Sequence, residues 1–119
     1  MARIVLAEDD ATMVRLLGTL LRMDGHEVTA VDGDGDVAAA VKAVSPHALV
    51  LDTVFGRKSG LEVVGQIRRG DPDRELYILM MSGLSVRDDC LRCGADDFLM
   101  KPFNPDEMMG LLRAHVPGN

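Results

Sequence analysis

Short β-type runs alternate with longer stretches of helical period along the chain. Ile4-Val5-Leu6, Ala48-Leu49-Val50-Leu51 and Tyr77-Ile78-Leu79-Met80-Met81 are nearly continuous apolar runs, as parallel strands buried on both faces require. With two weaker runs they predict strands at 3–7, 27–31, 48–52, 77–81 and 96–100, the three apolar ones being central. Between them Val14, Leu17, Leu20 and Leu21 recur at helical spacing, as do Val37, Ala40, Val41 and Val44, then Leu61, Val64 and Ile67, then Met108, Leu111 and Leu112. Each stripe predicts a helix covering one face of a sheet. Gly25, Gly70 and Gly94 act as helix-ending signals, and Asn104-Pro105 with Glu107 reads as a capped helix start.

The pattern is β-α repeated five times. Right-handed crossovers turn it into a doubly wound α/β sandwich, whose ligands bind at the carboxyl ends of the strands. No linker or low-complexity tract interrupts it, so residues 1–119 are expected to form one domain, with Pro117-Gly118-Asn119 suiting a chain end or a linker start.

Composition narrows the function. At 119 residues the chain holds one core and not two; 47% hydrophobic and 27% charged residues exclude a disordered tail. No apolar run approaches the roughly 20 residues that span a bilayer, and the start runs straight into a strand, which predicts a cytoplasmic protein with no membrane contact. A net charge of −6 makes phosphate backbones poor partners, so direct nucleic-acid binding is not expected. The two cysteines, Cys90 and Cys93, form a C-x-x-C in a helical stretch without a second pair, and are read as packing. His26, His47 and His115 fall on different segments and are expected at the surface or an edge. Arg68-Arg69 reads as a solvated helix end, and Asp32-Gly33-Asp34-Gly35-Asp36 as a turn capping the second helix.

The strand ends carry the chemistry: Glu8-Asp9-Asp10 after the first, Asp52 after the third, Ser82 after the fourth, Lys101-Pro102 after the fifth. Carboxylates converging in one crevice need a cation between them, and hard oxygen ligands suit Mg2+. A carboxylate nucleophile can take a phosphoryl group when the transferred charge is neutralised, here by the cation and Lys101, with the Ser82 hydroxyl on a phosphoryl oxygen.

Ile4-Val5-Leu6-Ala7-Glu8-Asp9-Asp10, Leu49-Val50-Leu51-Asp52, Ser59-Gly60-Leu61-Glu62, Met81-Ser82-Gly83 and Gly94-Ala95-Asp96-Asp97-Phe98-Leu99-Met100-Lys101-Pro102-Phe103 together resemble a response-regulator receiver domain of two-component signalling. The resemblance implies a flavodoxin-like (βα)5 fold with strand order 2-1-3-4-5 and a regulator rather than a conventional enzyme. It implies Asp52 as phosphoacceptor, a metal held by Glu8, Asp9, Asp52 and the Val54 carbonyl, and Ser82 and Phe98 as switch residues. Lys101 is then catalytic, with a cis Lys101-Pro102 bond, and Asp10 is a helix N-cap or a first-turn charge. Implied partners are a histidine kinase or phosphotransfer protein and a downstream protein target. The apolar and charged mix on the fifth strand and last two helices, including Arg87, Asp97, Glu107 and Arg113, makes that the expected contact face. Gly56 stands where the family usually has proline, which predicts a looser loop. Val54 and Leu84 flank the site with apolar side chains, which predicts a long-lived phosphoryl group. A receiver-like module that is never phosphorylated, and an aspartyl-phosphate phosphatase, are the alternatives. The phosphatase would want a second acid at position 54, where Val54 stands.

Overall fold

The computed structural model describes residues 2–117; Gly118 and Asn119 of the expected chain-end segment lie outside them. The strands are β1 (Arg3–Ala7), β2 (Glu27–Val31), β3 (Ala48–Asp52), β4 (Val54–Phe55), β5 (Lys58–Ser59), β6 (Tyr77–Ser82) and β7 (Asp97–Met100). The helices are α1 (Ala11–Met23), α2 (Val37–Val44), α3 (Gly60–Arg69), α4 (Arg87–Cys93) and α5 (Pro105–His115). Five strands pair in parallel in the order β2-β1-β3-β6-β7, which is the predicted 2-1-3-4-5 order once the small β4-β5 pair is set aside. The fold is the flavodoxin-like doubly wound sandwich.

Alternation along each strand divides the core into two layers. Ile4, Leu6, Val50, Leu79, Met81 and Leu99 face α1 and α5, where Leu17, Leu21, Met108 and Leu112 meet them. Val5, Leu49, Leu51, Ile78, Met80 and Phe98 face α2, α3 and α4 through Val37, Val64, Ile67 and Cys90. Each fully buried aliphatic side chain contributes about 1.5–3 kcal/mol before entropy is charged against it.

Local chemistry sets the boundaries. Asp10, Asp36, Ser59 and Asn104 accept backbone N–H groups at the starts of α1, α2, α3 and α5, satisfying donors that no helical carbonyl can reach. Gly25 and Gly94 follow α1 and α4 with φ of 90° and 122°. The fifth sheet strand begins one residue later than predicted, and Asp96, just before it, bonds Ile78 twice: its N–H donates to the Ile78 carbonyl at 2.9 Å and its carboxylate accepts the Ile78 N–H at 2.8 Å.

Two expectations are corrected, and the loop after β3 takes a defined form. Arg68 is not a solvated helix end. Its side chain is 10% exposed, ion-paired to Asp71 and Asp96 at 2.8 Å each and bonded to the carbonyls of Gly94 and Leu76. Asp71 and Leu76 follow α3 directly, whereas Gly94 and Asp96 lie 26 and 28 residues on, and helix periodicity reports none of them. His26 is buried, at 7% exposure, because its N–H closes on the Leu21 carbonyl and folds the turn inward. The loop after β3 forms an antiparallel hairpin in which Val54 pairs with Ser59 and Phe55 with Lys58. Gly56 at φ 60° opens its two-residue turn, the conformation a type II′ hairpin needs and glycine supplies.

The other histidines also have definite places. His47 accepts the Arg3 N–H at 2.9 Å, and His115 is exposed but stacks on Tyr77 with ring centroids 4.2 Å apart. Cys90 is fully buried, and burial pushes its thiol up to about 11; burial also raises Cys93. Both fit packing rather than thiolate chemistry.

Candidate functional site

Parallel strands all end on one side, so β1, β3, β6 and β7 deliver Glu8, Asp52, Ser82 and Lys101 to a common edge. Glu8, Asp52 and Ser82 are nearly buried, at 2%, 8% and 2% exposure. The Lys101 ammonium joins two of them, touching Asp52 Oδ2 and lying 2.7 Å from Glu8 Oε2. The preceding backbone is anchored by the Lys101 N–H on the Ser82 carbonyl at 2.7 Å, and the Lys101-Pro102 peptide is cis. Burial pushes Glu8 above the usual carboxylate range despite Lys101. Burial works to lower Lys101 too, but its bonds to Asp52 and Glu8 outweigh that and hold it above the ordinary lysine value.

The surrounding backbone orients these groups. Asp52 Oδ1 accepts the Val54 N–H at 3.0 Å, Glu8 Oε1 accepts the Asp10 N–H at 3.2 Å, and Ser82 Oγ accepts the Leu84 N–H at 3.1 Å. Gly60, the first residue of α3, lies so close to the Asp52 carbonyl that a Cβ there would overlap it. The sequence offered Gly60 only as part of a motif; its reason is this approach of the helix to the reactive strand end.

Asp9 stands apart. Its Oδ2 accepts the Gly56 N–H at 3.1 Å. Among the described residues no three acidic, histidine or cysteine side chains converge on one point where a cation could sit. The donor set nevertheless suits a hard cation, being three carboxylates and the Val54 carbonyl, all oxygen. Phe98 is buried against the α2, α3 and α4 layer at 8% exposure. Val54 and Leu84 expose their side chains beside the cleft. Of the expected contact face, Arg87 and Arg113 are exposed; Arg87 bonds the Phe98 carbonyl, Asp97 accepts the Tyr77 hydroxyl and Arg113 pairs with Asp24.

A model of the response regulator receiver domain matches residues 4–113. The chain is 35% identical over 121 residues to the DNA-binding response regulator MtrA of Mycobacterium tuberculosis, across 98% of this chain and 51% of MtrA. It thus spans about half the length of the curated relatives it matches. It superposes on the response regulator TrrA of Thermotoga maritima, solved in complex with Mg(2+)-BeF, with a TM-score of 0.85 and 27% identity over 98% of this chain and 100% of that one. It also superposes on the receiver domain of a sensor histidine kinase from Pseudomonas aeruginosa PAO1, solved with a magnesium ion coordinated in its active site cleft. There the TM-score is 0.83, with 26% identity over 96% of each chain. No described helix is long and apolar enough to cross a membrane.

Proposed function

This chain belongs to the response regulator receiver family, and from that premise we propose that it is a switch thrown by phosphorylation of Asp52. The observation that carries the reading is one lysine, Lys101, answering two nearly buried carboxylates, Asp52 and Glu8, at the reactive edge of the sheet. That arrangement stores a cation where negative charge is about to increase.

In the proposed step an Asp52 oxygen attacks the phosphorus of a phosphohistidine or a small acyl phosphate. A P–O bond to aspartate forms as the bond to the donor nitrogen or oxygen breaks, and the donor leaves with the electron pair. Glu8, Asp9, Asp52 and the Val54 carbonyl would hold Mg2+, which neutralises charge on the transferring group. Lys101, already in contact with Asp52, follows the charge onto the phosphoryl oxygens. The Ser82 hydroxyl turns from the Leu84 N–H to donate to another. Movement of Ser82 opens room at the ends of β6 and β7 for Phe98, and the surface of β7, α4 and α5 changes as one of two existing arrangements gains population. The donor would be a histidine kinase or phosphotransfer protein and the reader a downstream protein. With a net charge of −6, the domain itself would not be the part that holds DNA. Catalysis is confined to its own phosphorylation and dephosphorylation.

Incubation with Mg2+ and acetyl phosphate should give an acid-stable, base-labile adduct on the wild type and none on Asp52→Asn. An undiminished adduct on that variant, or none on the wild type, refutes the reading.

A further inference from the structure

Asp9 and Gly56 are 47 residues apart, yet the Gly56 N–H donates to Asp9 Oδ2 at 3.1 Å. The contact exists because two glycines dovetail. A Cβ on Gly56 would overlap the carbonyl of Gly33 in the loop between β2 and α2. One on Gly33 would stand 3.1 Å from Gly56 Cα and 3.3 Å from Asp9 Cβ. Lys58, on the same hairpin, donates its ammonium to the Gly35 carbonyl. Asp9, Gly33 and Gly56 therefore form one three-way contact. It holds a carboxylate of the acidic pair in a charge-assisted bond, and among the described residues no third acid joins Glu8 and Asp52 in a cation-binding group.

We propose that Gly56 sets the divalent-cation affinity of the cleft: its N–H latches Asp9 to the β4-β5 hairpin, and binding of a cation to Asp9 is coupled to release of that latch. The inference rests on the metal-dependent reading above. Such coupling is reciprocal. Loosening the hairpin from Gly33 frees Asp9 and strengthens Mg2+ binding, and Mg2+ binding frees the Gly56 N–H. If the glycine merely supported the metal site, loosening it would weaken Mg2+ binding instead, so the sign separates the two.

Gly33→Ala inserts a methyl group where neighbours need yield only a few tenths of an ångström. In a titration followed by backbone amide shifts, its Mg2+ dissociation constant should fall roughly three- to tenfold below the wild type, as partial loss of one hydrogen bond implies. Independently of any variant, saturating the wild type with Mg2+ should speed hydrogen exchange at the Gly56 amide and leave β1 amides unchanged. Wild-type Mg2+ binding with unchanged or weaker affinity in Gly33→Ala overturns the latch, as does unaltered or slower exchange at Gly56, while the phosphoryl adduct on Asp52 would still stand. Absence of Mg2+ binding to the wild type overturns the latch and the metal-dependent reading together.

Discussion

The Lys101 ammonium lies 2.7 Å from the carboxylate of Glu8, a residue 93 positions away and only 2% exposed. Because the same ammonium touches Asp52, removing it leaves two shielded carboxylates without their cation. Lys101→Met should therefore destabilise the fold by about 1–3 kcal/mol in urea unfolding at neutral pH. Adding Glu8→Gln should cost less than the sum of the two single changes, since each removes the same interaction. Strict additivity in that double-mutant cycle would contradict the pairing.

Arg68 should prove a larger structural determinant than its neighbour Arg69. Its guanidinium ties the end of α3 to Asp71, to the Leu76 carbonyl before β6, and to Gly94 and Asp96 before β7. Arg68→Met strands partly buried carboxylates and carbonyls, so a loss of about 2–4 kcal/mol in urea unfolding is expected. Arg68→Lys should recover only part of it, because an ammonium cannot reproduce the planar fork. Arg69→Met, at an exposed position, should change stability little.

Two glycines in helices should respond in opposite directions. A Cβ at Gly60 would overlap the Asp52 carbonyl oxygen and press on Thr53, so Gly60→Ala should cost about 1–3 kcal/mol. Gly110, inside α5, has open space around the same position, and Gly110→Ala should raise stability by about 0.5–1 kcal/mol. Thermal unfolding of the two variants beside the wild type checks both signs.

His47 makes stability depend on pH near neutrality. Burial, with Arg3 adding to it, holds the imidazole below its ordinary value of 6.5, and its unprotonated Nδ1 accepts the Arg3 N–H. Between the lowered folded value and 6.5 the unfolded chain binds a proton that the folded chain does not, so stability rises with pH across that window. It is fully present above 6.5 and lost as pH falls below it. The urea midpoint should decline on acidification through this range, and His47→Gln should remove that component. An NMR titration placing His47 at or above 6.5 would sink the argument.

Much of the architecture was legible because its signals are local. The unbroken apolar runs of β1, β3 and β6 announce strands covered on both sides, and the four helical stripes name the faces that cover them. Since parallel strands end on the same edge, strand order along the chain already groups Glu8, Asp52, Ser82 and Lys101. Asp10 and Asp36 were legible as caps for the same reason, their partners lying within three residues.

What only the tertiary structure decided depends on neighbours far along the chain. Arg68 and Arg69 are adjacent and identical in type, yet one is held by Gly94 and Asp96, more than 25 residues away, while the other faces water. His26 lies between α1 and β2, where burial cannot be read from period. Gly56 suggested slackness as an isolated residue, but opposite Gly33 it becomes a close-fitting turn whose N–H engages Asp9. Hydrophobic periodicity encodes which face of an element is buried. It does not encode which polar group that burial will bring against another, because that is set by the packing of segments dozens of residues apart.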